Sequence, residues 1–173
     1  MTARNVVPSP KTPIGGVVRH GAAIYDDPRH DPYWTKHRYS EPTKCKDCGA
    51  VFHNGRWRWG AAPGDAHLAR CPACRRIHDQ LPAGTVTLGG LYVDAHRNDL
   101  AGIVRNTERR EREEHPLSRV MGIADVAGRM VVTTTDIHLP RRIGEALRAA
   151  HDGTLEFRFA DDEYHIDVQW WRD

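Results

Sequence analysis

The sequence predicts an α+β protein with three parts in order: an extended tail, a four-cysteine metal module of the zinc-ribbon or rubredoxin-like knuckle type, and a ferredoxin-like domain. Prolines and glycines interrupt residues 1–40, two Cys-x-x-Cys pairs lie within residues 41–82, and strand and helix patterns follow one another in residues 84–173. These observations set the expected boundaries, because irregular, metal-bound and periodic segments have different residue patterns.

Composition restricts the class of protein. The chain has 173 residues, of which 39% are hydrophobic and 28% charged. No apolar run reaches the roughly 18 residues of a membrane helix, and no basic stretch followed by an apolar one opens the chain. We therefore expect no membrane span and no secretory signal, and a cytoplasmic protein whose cysteines bind metal rather than form disulfides.

The net charge of +2 is unevenly distributed. Residues 1–82 contain 13 Lys and Arg against 7 Asp and Glu, whereas residues 83–173 contain 12 against 16. A basic first half favours an anionic partner, although a short chain also shows such asymmetry by chance.

The tail interleaves cations with aromatic rings. Prolines exclude regular structure from most of residues 1–40, which have few aliphatic side chains to bury. Cations contact phosphates and flat rings stack on unpaired bases, so this segment is a candidate for RNA binding. The same rings could instead pack the tail onto the metal module. The candidate residues are Arg29, Tyr33, Trp34, Lys36 and Arg38.

The cysteine spacing is the strongest functional signal. Cys45-Lys-Asp-Cys48 and Cys71-Pro-Ala-Cys74 are separated by 22 residues. Two tight turns that each present two thiolates satisfy one tetrahedral ion, and Gly49 suits the first turn because glycine tolerates a left-handed backbone. Four thiolates leave no position for water, so we expect a structural ion, Zn²⁺; iron accepts the same ligands.

A basic, aromatic hairpin is predicted between the two pairs. Asn54-Gly55 is a strong signal for a two-residue turn. Two arginines then alternate with two tryptophans, so one strand face would carry guanidinium groups and the other indoles. The arginines fit phosphate contact, whereas the tryptophans could form the core of a small module. Two arginines after the second cysteine pair enlarge the basic surface, although they could instead simply improve solubility. The candidate residues are Arg56, Trp57, Arg58, Trp59, Arg75 and Arg76.

The order of elements after residue 84 predicts the ferredoxin-like domain. Alternating or β-branched segments indicate strands, and apolar residues three and four apart indicate helices. The order strand, helix, strand, strand, helix, strand, with one extra strand, is that of a split βαβ fold. The predicted strands are residues 85–92, 119–126, 129–135, 155–159 and 164–170. The predicted helices are residues 94–114, capped by Asp94, and a segment that begins at Asp136 or Thr135 as the cap and stops at Gly153.

One helix start also has the residues of an anion site. Asp136 and His138 follow three threonines, and Arg141 and Arg142 are close by. A helix N-terminus there could bind a phosphate, of RNA or of a small substrate. Helix capping and strand propensity explain every residue except His138. No nucleophile elbow, phosphate-binding glycine loop or histidine–glutamate zinc motif is present, so we do not expect an enzyme.

Several motifs resemble those of a family of bacterial zinc-ribbon proteins, over roughly residues 40–170. The later Thr-Thr-Asp-x-His-Leu-x-Arg-Arg-Ile-Gly motif is also similar to one in the nonsense-mediated-decay-named adaptor that exports the large ribosomal subunit in eukaryotes, and in its archaeal relatives. The motifs are Cys45-x-x-Cys48-Gly49, Gly55-Arg56-Trp57-x-Trp59, Cys71-Pro72-x-Cys74-Arg75-Arg76-Ile77, Glu114-His115-Pro116-Leu117-x-Arg119 and Thr133-Thr134-Thr135-Asp136-x-His138-Leu139-x-Arg141-Arg142-Ile143-Gly144.

The resemblance implies a zinc ribbon that binds the large ribosomal subunit or structured RNA. The adaptor has more cysteine pairs than the two found here, so the resemblance does not imply the same ribosomal surface. Two other hypotheses fit the residues: a protein–protein adaptor that uses the ribbon and tail, and an anion-processing enzyme centred on Asp136 and His138.

Overall fold

The computed structural model describes residues 31–33, 39–160 and 164–173, so most of the predicted tail lies outside the described residues. The part that bears the cysteines, which we call the cysteine lobe, contains β1 (Thr43–Cys45), β2 (Val51–His53), β3 (Arg56–Arg58), β4 (His67–Ala69) and α1 (Pro72–Asp79). Its strands form one sheet in the order β3-β2-β1-β4. Strands β1 and β4 are parallel, and the other neighbours are antiparallel.

The turn between β2 and β3 is the predicted one. Asn54 and Gly55 have φ angles of 51° and 74°, the left-handed backbone that a two-residue hairpin turn requires. The turn places Phe52 opposite Trp57. Tyr39 packs against both rings, with centroid distances of 5.4 Å to Phe52 and 5.1 Å to Trp57. Trp57 therefore belongs to a small aromatic core, the alternative to base stacking that the sequence left open.

The second part, which we call the large lobe, has the predicted mixture and order of elements, so the α+β prediction is confirmed. Its elements are β5 (Gly84–Gly89), α2 (Leu91–Glu114), β6 (Val120–Val126), β7 (Arg129–Thr134), α3 (His138–His151), β8 (Thr154–Phe159) and β9 (Ile166–Trp171).

The large sheet has the strand order β6-β7-β5-β9-β8. Because β7 is antiparallel to both β5 and β6, β5 and β6 run parallel with β7 between them, which is a split βαβ unit. On the other side, β9 is parallel to β5 and separates it from β8. The extra strand is thus inserted inside the sheet, and the ferredoxin-like topology is not confirmed beyond the first unit.

Strand β9, the inner one, is more deeply buried than the edge strand β8. The inward residues Ile166, Val168 and Trp170 of β9 are at most 1% exposed, whereas Leu155 and Phe157 of β8 are half-buried. The strand that buries more apolar surface gains more in the interior, at roughly 25 cal/mol per Å².

Both helices of the large lobe pack on one face of the sheet. Their apolar stripes meet alternate residues of the central strands, the arrangement expected for a sheet covered on one side by amphipathic helices. This core includes Val86, Leu88, Leu100, Val104, Val132, Leu139, Ile143, Leu147 and Trp170.

The start of α2 differs from the prediction. The predicted strand 85–92 ends at Gly89, and the helix begins at Leu91, three residues before the predicted cap Asp94. Gly90 between them has φ 101°, and a Cβ at this position would overlap the carbonyl oxygen of Arg172. The chain can reverse here only because glycine has no side chain.

The bounds of α3 follow the predicted signals closely. The Asp136 carboxylate accepts hydrogen bonds from the N–H groups of His138 (2.8 Å) and Leu139 (2.7 Å), so it caps the helix start as predicted. Pro140 lies in the first turn, where its missing N–H costs nothing. The helix ends at His151, before the predicted stop at Gly153, whose φ is 93°.

Candidate metal centre

The first cysteine pair lies on a tight turn at the end of β1. The N–H of Cys45 donates to the carbonyl of Ala50 (2.7 Å), and the N–H of Gly49 donates to the carbonyl of Cys45 (2.9 Å). Gly49 has the left-handed backbone that the sequence predicts, with φ 79°. This turn points Cys45 and Cys48 to the same side.

The second pair lies on the first turn of α1. The ribbon-like prediction had assumed a second tight turn at this place. Cys71 is the N-cap, and its sulfur accepts the N–H of Cys74 at 3.4 Å. Pro72 occupies the first helical position, where proline is favoured. A helix start can present residues i and i+3 on one side, so it replaces the expected turn.

The four sulfur atoms meet at one point. They lie within 4.8 Å of one another, the Cys48 and Cys71 sulfurs are 3.9 Å apart, and no disulfide links them. Zn–S bonds of about 2.3 Å in a tetrahedron place the sulfurs roughly 3.8 Å apart. The cluster therefore has the ligand number and the size that a tetrahedral metal ion requires.

Burial makes ionised thiols costly without a cation. Burial raises the pKa of Cys71 well above its ordinary value; the N–H of Cys74 opposes this, and the nearby Cys48 and Cys74 sulfurs add to it. At Cys45 burial also raises the pKa, but the N–H groups of Cys71, Cys48 and Asp47 outweigh it and lower the pKa to about 7. A bound cation would allow all four sulfurs to be thiolates.

Arg119 of the large lobe reaches the cysteine cluster. Its Nη1 donates to the Cys74 sulfur at 3.3 Å, and its Nε donates to the carbonyl of Pro116 at 2.7 Å. Burial lowers its pKa, but Cys48 and Cys74 outweigh this effect and leave the pKa raised. A buried guanidinium against these sulfurs fits a donor set of thiolates rather than of neutral thiols. Arg119 belongs to one of the motifs that resemble the bacterial zinc-ribbon family, but no local pattern in the sequence predicts its contact with Cys74.

Two of the predicted RNA-binding residues are engaged within the protein. Arg76 is 2% exposed, and its Nη2 lies 2.5 Å from a carboxylate oxygen of Asp31. Its guanidinium also stacks 4.6 Å from the ring centroid of Tyr33, whose hydroxyl donates to Asp79 at 2.7 Å. Arg76 and Tyr33 hold the described part of the tail against α1, so we do not include them in an RNA-binding surface.

The two tryptophans of the predicted hairpin face different surroundings. Trp57 packs in the aromatic core, whereas Trp59 lies beyond β3 against the large lobe. The Trp59 indole N–H donates to the carbonyl of Arg112 at 2.6 Å, and the Arg112 guanidinium lies 5.7 Å from the ring centroid. The expected face with two indoles is therefore not formed.

The other predicted residues fall into three groups. Arg29, Trp34, Lys36 and Arg38 lie outside the described residues. The half-buried group is Arg58 and Arg75, and the exposed group is Arg56, His138, Arg141 and Arg142.

A surface cavity lies at the start of α3. His138, Arg141 and Arg142 border a surface cavity of about 700 Å³, together with His115 and Tyr164. Because the Asp136 carboxylate already accepts the first helical N–H groups, the helix start itself is not an open anion site. The cavity combines cations with carboxylates, since Glu111 lies 3.6 Å from Arg142.

Comparisons of the chain with protein-family models, with curated proteins and with solved structures find no match. In the part of the chain that the structure describes, no helix has the length and apolar character needed to cross a membrane.

Proposed function

We propose that the chain is a zinc-stabilised, cytoplasmic RNA-binding protein that associates with structured RNA, in particular the large ribosomal subunit. The observation that supports RNA binding is an exposed indole among arginines. Trp59, 37% exposed, lines a surface cavity of about 440 Å³ with Arg109 and Arg112. An exposed ring beside guanidinium groups suits an unpaired base and its phosphates.

Zinc is proposed because of the ligand set. Four cysteine sulfurs fill a tetrahedral site, so no position remains for water or substrate, and a closed site of this kind is structural. The proposed role of the ion is to hold the first cysteine turn against the start of α1. Thus we propose a binding protein rather than an enzyme.

The arginines near Trp59 form a stripe along α2. Arg105, Arg109 and Arg112 are spaced four and three residues apart, so they share one helix face, and all three are exposed. Among the described residues, none of the three pairs with a carboxylate. Glu108 of the same cavity accepts the N–H of Val120 at 3.0 Å, and Glu113 offsets part of the positive charge.

The large ribosomal subunit is proposed as the partner from the resemblance to the export adaptor. Single-stranded loops of ribosomal RNA offer the splayed bases that stack on aromatic rings, together with closely spaced phosphates. His138, Arg141 and Arg142 are a second exposed set of donors on the large lobe, and Arg56 is one on the cysteine lobe.

Titration of a fluorescently labelled single-stranded RNA, followed by anisotropy at several salt concentrations, tests the proposal. We expect Trp59→Leu to weaken binding by about 1–3 kcal/mol, the value of one base–ring stack. Arg109→Glu/Arg112→Glu should lower the slope of log K against log salt by about 0.7 for each phosphate that the protein no longer neutralises. Arg158→Glu is the matched control, because Arg158 is exposed on β8, away from the stripe. Equal binding by all four proteins, or none by the wild type, would refute RNA binding at Trp59.

Exposed apolar residues favour a second candidate, the protein–protein adaptor. Leu68 is 71% exposed on the edge strand β4, and Leu81, 46% exposed, follows α1 on the same lobe. An open strand edge with an apolar side chain can pair with another chain. In that case Leu68→Lys would abolish partner capture, and RNA would not compete for the partner.

A further inference from the structure

Arg119 is a charged residue in an unusually enclosed place. It directly precedes β6 and is 6% exposed. Its backbone N–H donates to the hydroxyl of Thr135 at 2.9 Å, and its carbonyl accepts the N–H of Thr135 at 3.0 Å. The large lobe therefore fixes the backbone of Arg119, while the side chain extends into the cysteine lobe.

The guanidinium of Arg119 contacts a cysteine sulfur and a backbone carbonyl oxygen. Its Nη1 contacts Cys74, its Nε is satisfied by Pro116, and its Nη2 is buried without a hydrogen-bond partner among the described residues. In the same part of the chain, no carboxylate pairs with it. A buried charge without a counter-ion is strongly destabilising, so this position requires negative charge on the cysteines.

A tetrathiolate bound to a divalent ion supplies that charge, since four thiolates and one dication carry a net charge of −2. We propose that Arg119 is the counter-cation of the metal centre and that it couples metal binding in the cysteine lobe to the folding of the large lobe. The inference rests on the proposed metal centre. It places Arg119 in the outer shell of that centre, although Arg119 is 45 positions along the chain from Cys74, the cysteine that it contacts.

Further contacts continue from Arg119 towards α3. The Thr135 hydroxyl, which accepts the Arg119 N–H, donates to the carbonyl of Leu117 at 2.5 Å, and Leu117 packs against the cysteine cluster. Ser118 donates its hydroxyl to Asp136, which caps α3. Loss of the metal would leave the guanidinium buried without an anion, next to the residues that hold β6, β7 and the start of α3.

Cobalt binding to the full chain measures the role of Arg119 in the metal site. Co²⁺ in a thiolate site has strong charge-transfer absorption, so its affinity can be measured by competition with a chelator. Removal of an outer-shell partner lowers metal affinity about 10–100-fold, which we expect for Arg119→Met. Arg119→Lys keeps the charge but not the fork of donors, so it should restore part of the affinity. Arg148→Met, at an exposed arginine of α3, should bind as the wild type does.

Hydrogen exchange of the wild-type protein tests the coupling without any variant. With the metal removed, we expect faster exchange in β6, β7 and the first turn of α3 as well as in the cysteine lobe. Unchanged exchange in the large lobe, or equal affinity of Arg119→Met and the wild type, would overturn the inference. If the wild-type chain shows no cobalt–thiolate absorption, the metal centre itself is wrong and the inference falls with it.

Discussion

Metal affinity should fall steeply as the pH is lowered, because metal binding must displace protons from cysteines. In the metal-free protein, burial raises the pKa values of Cys71 and Cys74, in the case of Cys74 despite the opposing effect of Arg119. Both pKa values lie above the ordinary value of 9.0, so both thiols are protonated at pH 6–8. Each binding event therefore releases at least two protons over this range.

The number of protons sets the size of the effect. Each proton released changes the apparent affinity about tenfold per pH unit, so two protons give about 100-fold between pH 8 and pH 7. Below the pKa of Cys45, which is about 7, its thiol is protonated as well and steepens the fall. The sign follows directly: the thiolates bind metal, so acid weakens binding and base strengthens it.

The assay is zinc competition with a chromophoric chelator whose own protonation is known, at pH 6, 7 and 8. We predict a slope of at least two decades of affinity per pH unit above pH 7. A slope below two decades would show that at least one of Cys71 and Cys74 is already ionised in the metal-free protein, and it would refute the effect assigned to burial. Circular dichroism at each pH controls for acid unfolding.

Two substitutions test the structural assignments in the large lobe, each by urea unfolding. Gly90→Ala should destabilise the protein by more than about 1 kcal/mol, because the φ of 101° at Gly90 is unfavourable for alanine and the added Cβ would overlap Arg172. The control is Gly102→Ala, which should not destabilise the protein, because nothing lies within 4 Å of a Cβ at that position. Asp136→Ala should lower the free energy of unfolding by about 0.5–2 kcal/mol, because the cap of α3 is lost. An unchanged unfolding midpoint of Gly90→Ala or of Asp136→Ala would contradict the assignment that the variant tests.

Local signals predicted the elements whose structure is decided locally. Asn54-Gly55 defines its hairpin by backbone preference alone, and the spacing of apolar residues before Gly153 identifies α3. Helix α1 was missed because it has only 8 residues and begins at a cysteine pair that also fits a turn. Its signals are Pro72 at the first helical position and the good helix formers Ala73, Arg75 and Arg76 after it.

Features that depend on distant residues could not be predicted in this way. The insertion of β9 beside β5 depends on how well Val168 and Trp170 fill the core compared with β8. Likewise, the contact between Arg119 and Cys74 joins residues that are 45 positions apart. The clustering of the four cysteines was predictable because both pairs carry their spacing in the sequence, whereas the contact with Arg119 is set by the packing of the two lobes.

Sedimentation of the tagged protein with ribosomes tests the central claim most directly. Gradients are run at low and high salt, with Cys71→Ser/Cys74→Ser as the variant that lacks two metal ligands. We predict that the wild type migrates with the large subunit at low salt, is released at high salt because its contacts are to phosphates, and that the variant stays at the top. A wild-type protein that stays at the top of the gradient at both salt concentrations would contradict association with the ribosome.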